Sequence, residues 1–486
     1  MPPVRPKEST CSGGVRPIGN RAGRLIPWLA LSALWISCTL LVSCGGGSSA
    51  QLHSAPPPPT PIPNPVKPGP AGQGIPPQYF GLDIFDTVLP TVGTDPWPRF
   101  PFGAMRLWDS HTSWVQINTA PGVYDFSVLD AWLQLAQQNN VTDVMYTFGQ
   151  VPVWASSNPT DQTCVAPSTL AGTCDAPVDL NPDGSGTDQI WKNFVTAIVT
   201  HSNQSTTAHI NAWEIWNEPS IPEEWNGTVL QLARMASDAY TIIRSLDPTA
   251  LITTPTPVTT LNTPAATWMA QYITATHSLG ANGALGAPYA DIVTFHGYLS
   301  AGGVTQPENI IQTLAGMNTT LVAAGLTLPI WDTESDWGRD TDLPDPDFEA
   351  AFLTRFFLLQ YSSGAARLYW YEYGNASFGS ILVSGNLNPA GIAYAQVYDW
   401  MAGATLTSPC SNNGAVWTCT FTKPGGIQEQ AVWDTSQTCS GGTCTTSSYA
   451  PDPAYVKYAD TAGQAFSFSS GAAVQIGAKP ILLLNQ

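Results

Sequence analysis

Two carboxylic acids stand where apolar runs stop. Trp213-Glu214-Ile215-Trp216-Asn217-Glu218-Pro219 reads as a buried strand ending in an amide and an acid side by side. Leu328-Pro329-Ile330-Trp331-Asp332-Thr333-Glu334 ends the same way, in Glu334. On strands of one barrel, Glu218 and Glu334 would face each other across its mouth. Such a pair suits cleavage of a glycosidic bond: one carboxyl protonates the leaving oxygen, and the other stabilises or attacks the anomeric carbon. Either acid alone says little, because a strand-terminal Glu also serves as an ion-pair partner or helix cap.

The neighbouring polar residues divide by position. Glu214 lies four before Glu218, so period-two alternation points both to one side. It is expected to be a lower-layer charge paired with an arginine, and Asp332, which shares the parity of Glu334, is read the same way. Asp109, His111 and Trp114 follow an earlier strand and either line the site or fix their own loop. Trp154, in Val151-Pro152-Val153-Trp154, is either a stacking platform for a sugar or packing under a loop. Glu372 and Tyr373 receive no role.

The elements that must hold these residues form a repeating strand–helix pattern. Eight short apolar runs read as strands: Tyr79–Phe85, Gly103–Trp108, Asp143–Phe148, Ile210–Trp216, Leu251–Thr254, Ile292–His296, Pro329–Thr333 and Ala366–Tyr371. Continuous apolar runs suit parallel strands buried on both faces. Helical periodicity falls between most of them, over Val128–Asn139, Gln189–His201, Val229–Leu246, Pro264–His277, Ile310–Ala324 and Asp347–Ser362, with Pro389–Met401 after the eighth. No helix is expected between the first two strands. The pattern predicts an α/β fold, a (β/α)8 TIM barrel over 79–401. The alternative, an open doubly wound sheet, lacks a Gly-rich phosphate fingerprint after an early strand. From 402 to 486, short β-like runs separated by Gly, Ser and Thr predict a small all-β domain stapled by disulfides. It either binds carbohydrate or is structural.

Residues 1–43 hold a basic segment and an apolar run, Leu25 to Val42, ending in Leu41-Val42-Ser43-Cys44. This is the layout of a secretory leader, and its end resembles the lipobox of bacterial lipoproteins, with Cys44 as the lipidated residue. The alternative is an uncleaved span. Residues 44–78 are rich in Gly and Ser, then Pro, and read as an extended tether. The expected location is the bacterial cell envelope, at the outer membrane or cell surface, with the membrane reached only through the lipid. Six further cysteines fall into close pairs, Cys164 with Cys174, Cys410 with Cys419 and Cys439 with Cys444, which suggests short-range disulfides in an oxidising compartment. The first pair lies in a long insertion, Gln150–Asp188, expected to rise over the active-site face. It either stiffens a wall of the cleft or is a surface excursion.

Composition narrows the partners. Formal net charge is −18 over 486 residues, with 11% charged residues and 18 Trp. Such an acidic chain repels nucleic acid and anionic lipid, so neither is an expected partner. A neutral carbohydrate meets no such obstacle, and aromatic rings stack on sugar C–H faces. No His/Asp/Cys cluster has ligand spacing, so no metal or organic cofactor is implied.

Trp216-Asn217-Glu218-Pro219 on the fourth strand with Glu334 on the seventh resembles clan A of the glycoside hydrolases, retaining enzymes, with family 39 and its relatives nearest. The resemblance covers about residues 79–401. It implies that Glu218 is the acid/base and Glu334 the nucleophile of a double displacement on β-type bonds of an oligo- or polysaccharide. It further implies that Arg106 and Phe295-His296-Gly297-Tyr298 lie near the nucleophile, with Tyr298 orienting it. Asn217 would bind the sugar 2-hydroxyl, and Trp370 would lie under the sugar at the cleavage point. Two alternatives stand beside this reading: a non-catalytic carbohydrate-binding surface lipoprotein, and a transglycosylase using the same two carboxylates.

Overall fold

The computed structural model describes residues 74–84, 87, 95–164, 170–259, 264–280, 288–299, 306–338, 343, 345–374 and 378–486. The leader, Cys44 and the tether up to residue 73 lie outside the described residues.

Eight parallel strands form the central sheet: β1 Phe80–Ile84, β2 Ala104–Leu107, β3 Val144–Thr147, β4 Ala212–Glu214, β5 Leu251–Thr253, β6 Val293–His296, β7 Ile330–Ser335 and β8 Ala365–Tyr373. Their order is β5-β4-β3-β2-β1-β8-β7-β6. Closure into a barrel comes between β5 and β6, where Thr254 N–H donates to the Ile292 carbonyl at 3.0 Å and Asp291 N–H to the Ile252 carbonyl at 2.8 Å. Each strand is three to nine residues long, and nearly all positions are buried. That is the burial expected when a barrel interior and a helical layer cover both faces.

The helices are α1 Trp114–Ile117, α2 Ser127–Gln138, α3 Gln189–Gln204, α4 Val229–Leu246, α5 Ala265–Ser278, α6 Ile310–Ala323, α7 Pro346–Ser362 and α8 Pro389–Met401. Their starts carry local signals. Thr228 accepts from the Gln231 N–H while the Gln231 side chain accepts from the Thr228 N–H, a reciprocal cap for α4. Asp345 accepts from the N–H groups of Asp347 and Phe348, with Pro346 in the first turn of α7. The short α1 was not expected from the sequence, since one turn carries no readable periodicity. Residues 95–103 hold no helix, as expected for the first connection.

Two apolar layers hold the barrel. Ala104, Met145, Ala212, Ile292, Trp331 and Tyr369 fill its interior. A much larger cluster lies between the strands and the helices, and includes Trp191, Phe194, Trp213, Phe357 and Trp370.

Beyond α8 lies a six-stranded antiparallel sheet, with spatial order Thr405–Asn413, Val416–Lys423, Ile427–Asp434, Ile481–Leu484, Lys457–Ala459 and Ala465–Ser467. The first strand escaped the sequence reading because it is an edge strand with Pro409 and many exposed polar residues. This region packs on α7, which is buried from Glu349 through Ser362. A helix covered on every side has no polar face to present. The contact is also polar: Arg355 pairs with Glu308, whose Oε1 accepts from Trp433 Nε1 at 2.9 Å, and Lys479 pairs with Asp347 at 2.6 Å. The three expected disulfides, Cys164–Cys174, Cys410–Cys419 and Cys439–Cys444, are formed.

The end of the expected tether needs correction. Ile75 is fully buried and its N–H donates to the Ala404 carbonyl at 2.7 Å. An apolar side chain following the proline-rich run docks against the end of α8, so the extended segment stops before residue 75.

Candidate active site

Arg106, on β2, is the hub of the barrel's C-terminal mouth. It is fully enclosed, and its Nε donates to Glu214 Oε2 at 2.8 Å, Nη1 to Glu334 Oε2 at 2.6 Å and Nη2 to Asn217 Oδ1 at 2.8 Å. Asp83 on β1 lies 3.6 Å from Nη1. A buried guanidinium stays charged and needs such acceptors, because each lost partner would leave a desolvated N–H.

Glu214 takes the structural role expected of it. It is buried, and besides Arg106 it accepts from Thr147 Oγ1 at 2.8 Å and Thr256 Oγ1 at 2.6 Å. Burial pushes its pKa up, but Arg106, helped by the Thr256 hydroxyl, outweighs it and holds the group below its ordinary value.

Four residues on, the chain presents Glu218 differently. After β4 the strand direction continues through a parallel bridge between Asn217 and Thr256, and Glu218 then adopts φ +39°. A non-glycine residue there is strained, and such strain concentrates at functional sites. Glu218 Oε1 lies 2.8 Å from His296 Nδ1. Burial raises its pKa to about 7, against the lowering influence of Arg106, and the nearby Glu214 adds to the rise. Desolvation is the largest cause of the rise.

Glu334, at the end of β7, is the acid gripped by a guanidinium and a phenol. Tyr298 donates to its Oε1 at 2.7 Å and Arg106 to its Oε2. Burial raises its pKa, Glu218 and Asp109 add to the rise, and Arg106 opposes it. Acid oxygens of Glu218 and Glu334 and a ring nitrogen of His296 all lie within 4.8 Å of one another. The structure therefore brings together Glu218, Glu334, Arg106, Asn217, His296 and Tyr298. Glu218, His296 and Glu334 have the donor types of a metal site, but Arg106 and Tyr298 already donate to Glu334, and Arg106 Nη2 faces His296 Nε2 at 3.3 Å. A second group, Asp161, Cys164, Cys174 and Asp175, has its two sulfurs joined to each other.

The two aromatic candidates stand in different settings. Trp370 is 0% exposed; its indole stacks on Phe357 of α7 and its Nε1 donates to the Gly379 carbonyl at 2.9 Å. It points outward into the helical layer and is not under a sugar. Trp154 is 36% exposed and anchored by a bond from Nε1 to the Asn118 carbonyl at 3.0 Å. It makes no hydrogen bond to the Arg106 group. Trp114 is a core residue stacked on Phe194. Asp332 is structural but has no arginine: it accepts from Gly297 N–H, Ser335 Oγ and Gln360 Nε2, and burial lifts its pKa to about 8. The pairing of β7 with β8 slips between Asp332 and Ser335, so the parity shared with Glu334 does not hold.

Three site residues escaped the sequence reading. Tyr371 donates to Asp109 Oδ2 at 2.8 Å, which places Asp109 at the mouth. Glu224 lies in the β4–α4 connection, its carbonyl accepting from Trp216 Nε1 at 3.0 Å. Burial raises it to about 8, helped by Glu218 and Asp109, and opposed by a bond from the Asn217 amide. Glu372 is buried with neither acid oxygen hydrogen-bonded, and burial pushes its pKa well above its ordinary value. None of these positions has a motif around it. The insertion braces the same connection: Asn226 N–H donates to the Cys174 carbonyl and Asn226 Nδ2 to Asp161 Oδ2, both at 2.8 Å.

In fold, this barrel with its β-region is similar to clan A glycosidases. One relative in structure is a family 39 glycoside hydrolase from Bacteroides cellulosilyticus WH2, with TM-score 0.54 and 16% identity over 79% of this chain and 75% of that one. A glucosidase from Croceicoccus marinus gives 0.59 and 13% over 86% and 97%, and a family 39 β-xylosidase from Caulobacter crescentus gives 0.57 and 13% over 86% and 98%. No family model and no curated protein matches the sequence.

Proposed function

We propose that the protein is a retaining glycoside hydrolase acting on β-type bonds of an oligo- or polysaccharide. The observation that carries this reading is the close approach of Glu218 and Glu334 in unequal surroundings, one held up to about 7 by burial and the other gripped by Arg106 and Tyr298. A separation of roughly 5 Å leaves no room for water between the acids and suits direct attack by one of them.

Glu334 attacks the anomeric carbon as Glu218 Oε2 gives its proton to the leaving oxygen. The bond from the anomeric carbon to the leaving oxygen breaks as the glycosyl–enzyme ester forms on Glu334. Glu218, now ionised, takes a proton from water, which attacks the anomeric carbon and frees Glu334. The sugar leaves with its configuration retained. The structural relatives named a glucosidase and a β-xylosidase support glucosides and xylosides as the first substrates to try.

Aryl β-xyloside, β-glucoside, β-galactoside and α-L-arabinofuranoside, alongside polysaccharides, make the screen. Proton NMR of the first-formed sugar should show the β anomer from a β-glycoside. An inverted product, or no turnover on any substrate, would sink this reading. The leader and Cys44 carry the further proposal of a lipid anchor in the bacterial envelope; radiolabelled palmitate should enter the wild-type protein and not a Cys44→Ser control, and its failure to enter the wild type would remove the proposal.

A further inference from the structure

The arrangement around His296 fixes more than a ring. Its Nε2 lies 3.3 Å from Arg106 Nη2, and its Nδ1 lies 2.8 Å from Glu218 Oε1. A guanidinium has five N–H donors and no acceptor, so the imidazole nitrogen facing it must be bare. The one ring proton of the neutral imidazole is therefore on Nδ1, where it donates to Glu218 Oε1. Two protons on the ring would set an N–H against an N–H. Glu334 and Glu214 favour a second ring proton, but burial and Arg106 outweigh them. Arg106 faces the ring from β2, Glu214 and Glu218 from β4, Glu334 from β7 at 3.7 Å, and Tyr298 from the same loop at a ring distance of 6.3 Å. The ring is fully buried, and burial pushes its pKa down to about 4.

With Oε1 occupied as an acceptor, the acidic proton of Glu218 has only Oε2 to sit on. Resting on the glycosidase reading above, we infer that His296 is a positioning residue: Arg106 sets its tautomer, and the tautomer selects the Glu218 oxygen that delivers the proton to the leaving group. A single arginine thereby orients both halves of the reaction. Nη1 holds the nucleophile, and Nη2, through the imidazole, points the acid.

This role separates from a merely structural one by its dependence on the leaving group. A dinitrophenolate departs without protonation, whereas an alkoxide or sugar requires it. The measurement is kcat/KM, which reports the first displacement, on a dinitrophenyl glycoside and on an alkyl glycoside or disaccharide of the sugar that the wild type hydrolyses. His296→Gln places its amide near Nε2 and loses the donor to Glu218. It should lose about 100-fold or more on the poor leaving group and less than about fivefold on dinitrophenyl. His296→Asn places an N–H near Nδ1 and should recover most of the loss, with a dependence on leaving-group pKa as shallow as that of the wild type. Equal losses by His296→Gln on both substrates would overturn the assignment. So would a His296→Asn enzyme with a steeper leaving-group dependence than the wild type, a result that stands even if the Gln variant fails to fold. Absence of wild-type turnover on every glycoside overturns the glycosidase reading and the positioning role with it.

Discussion

At the N-terminal ends of the barrel strands, Arg367 meets Asp143 at 2.7 Å and lies 4.0 Å above the Trp331 ring. At the opposite ends, Arg106 is shared among Glu214, Glu334, Asn217 and Asp83. The first is a pair with matched charges and an aromatic lid. The second leaves acids in excess, and burial pushes several of them up: Asp83, Glu218, Glu224, Glu334 and Glu372 all lie above their ordinary range. The same barrel thus closes its charges at one end and keeps protons stored at the other. Local composition does not distinguish the two; what differs is the ratio of donors to acids within one desolvated space.

Four substitutions would break or sharpen that contrast. Glu334→Gln should cost kcat/KM on the order of 10^4-fold or more on every glycoside, since no other anion is placed for attack. Glu218→Ala should cost about 10^2- to 10^4-fold on poor leaving groups, with sodium azide restoring turnover as a β-glycosyl azide detected by mass spectrometry. At the other end, Arg367→Met should leave kcat/KM at the wild-type value while lowering unfolding free energy by about 1–3 kcal/mol in denaturant titration.

The smallest effect tests the stored protons. The folded-state pKa of Glu218, about 7, lies above its ordinary 4.5, so the folded protein holds a proton that the unfolded chain releases. Its stabilising contribution is full below pH 4.5 and is lost as pH rises through about 7. Glu218→Gln should therefore raise Tm relative to wild type at pH 8 and not at pH 4. The wild-type kcat/KM should fall as pH rises through about 7, as the general acid loses its proton. A Tm gain equal at both pH values would show that Glu218 is not held neutral.

The sequence made some of this visible and hid the rest for physical reasons. Period-two alternation placed Glu214 beneath Glu218, and the lower-layer position made an arginine partner the expectation, which Arg106 meets. Alternation misled wherever strand pairing slips. Asp332 and Glu334 do not share a side, and the β1–β8 pairing shifts between Leu82 and Ile84, close to the Trp370 and Tyr373 partners. Trp370 then turns to the helices, and its neighbour Tyr371 reaches Asp109. Glu224 lies in a connection without periodicity, and what brings it to the mouth is its carbonyl's bond with Trp216. The helix bounds of α4 and α8 were legible because cap and proline signals mark them.

The bond from Trp433 to Glu308, which Arg355 also holds, ties the fate of two regions together. A β-region attached in this way is no detachable accessory. Cutting the chain after α8 would strip the outer face of α7 and unpair Glu308 from one of its donors, so the barrel could not inherit a new C-terminal partner without a matching indole. The two regions should melt in one calorimetric transition, and recombination that swaps such β-regions between relatives should succeed only when α7 and the loop bearing Glu308 travel with them.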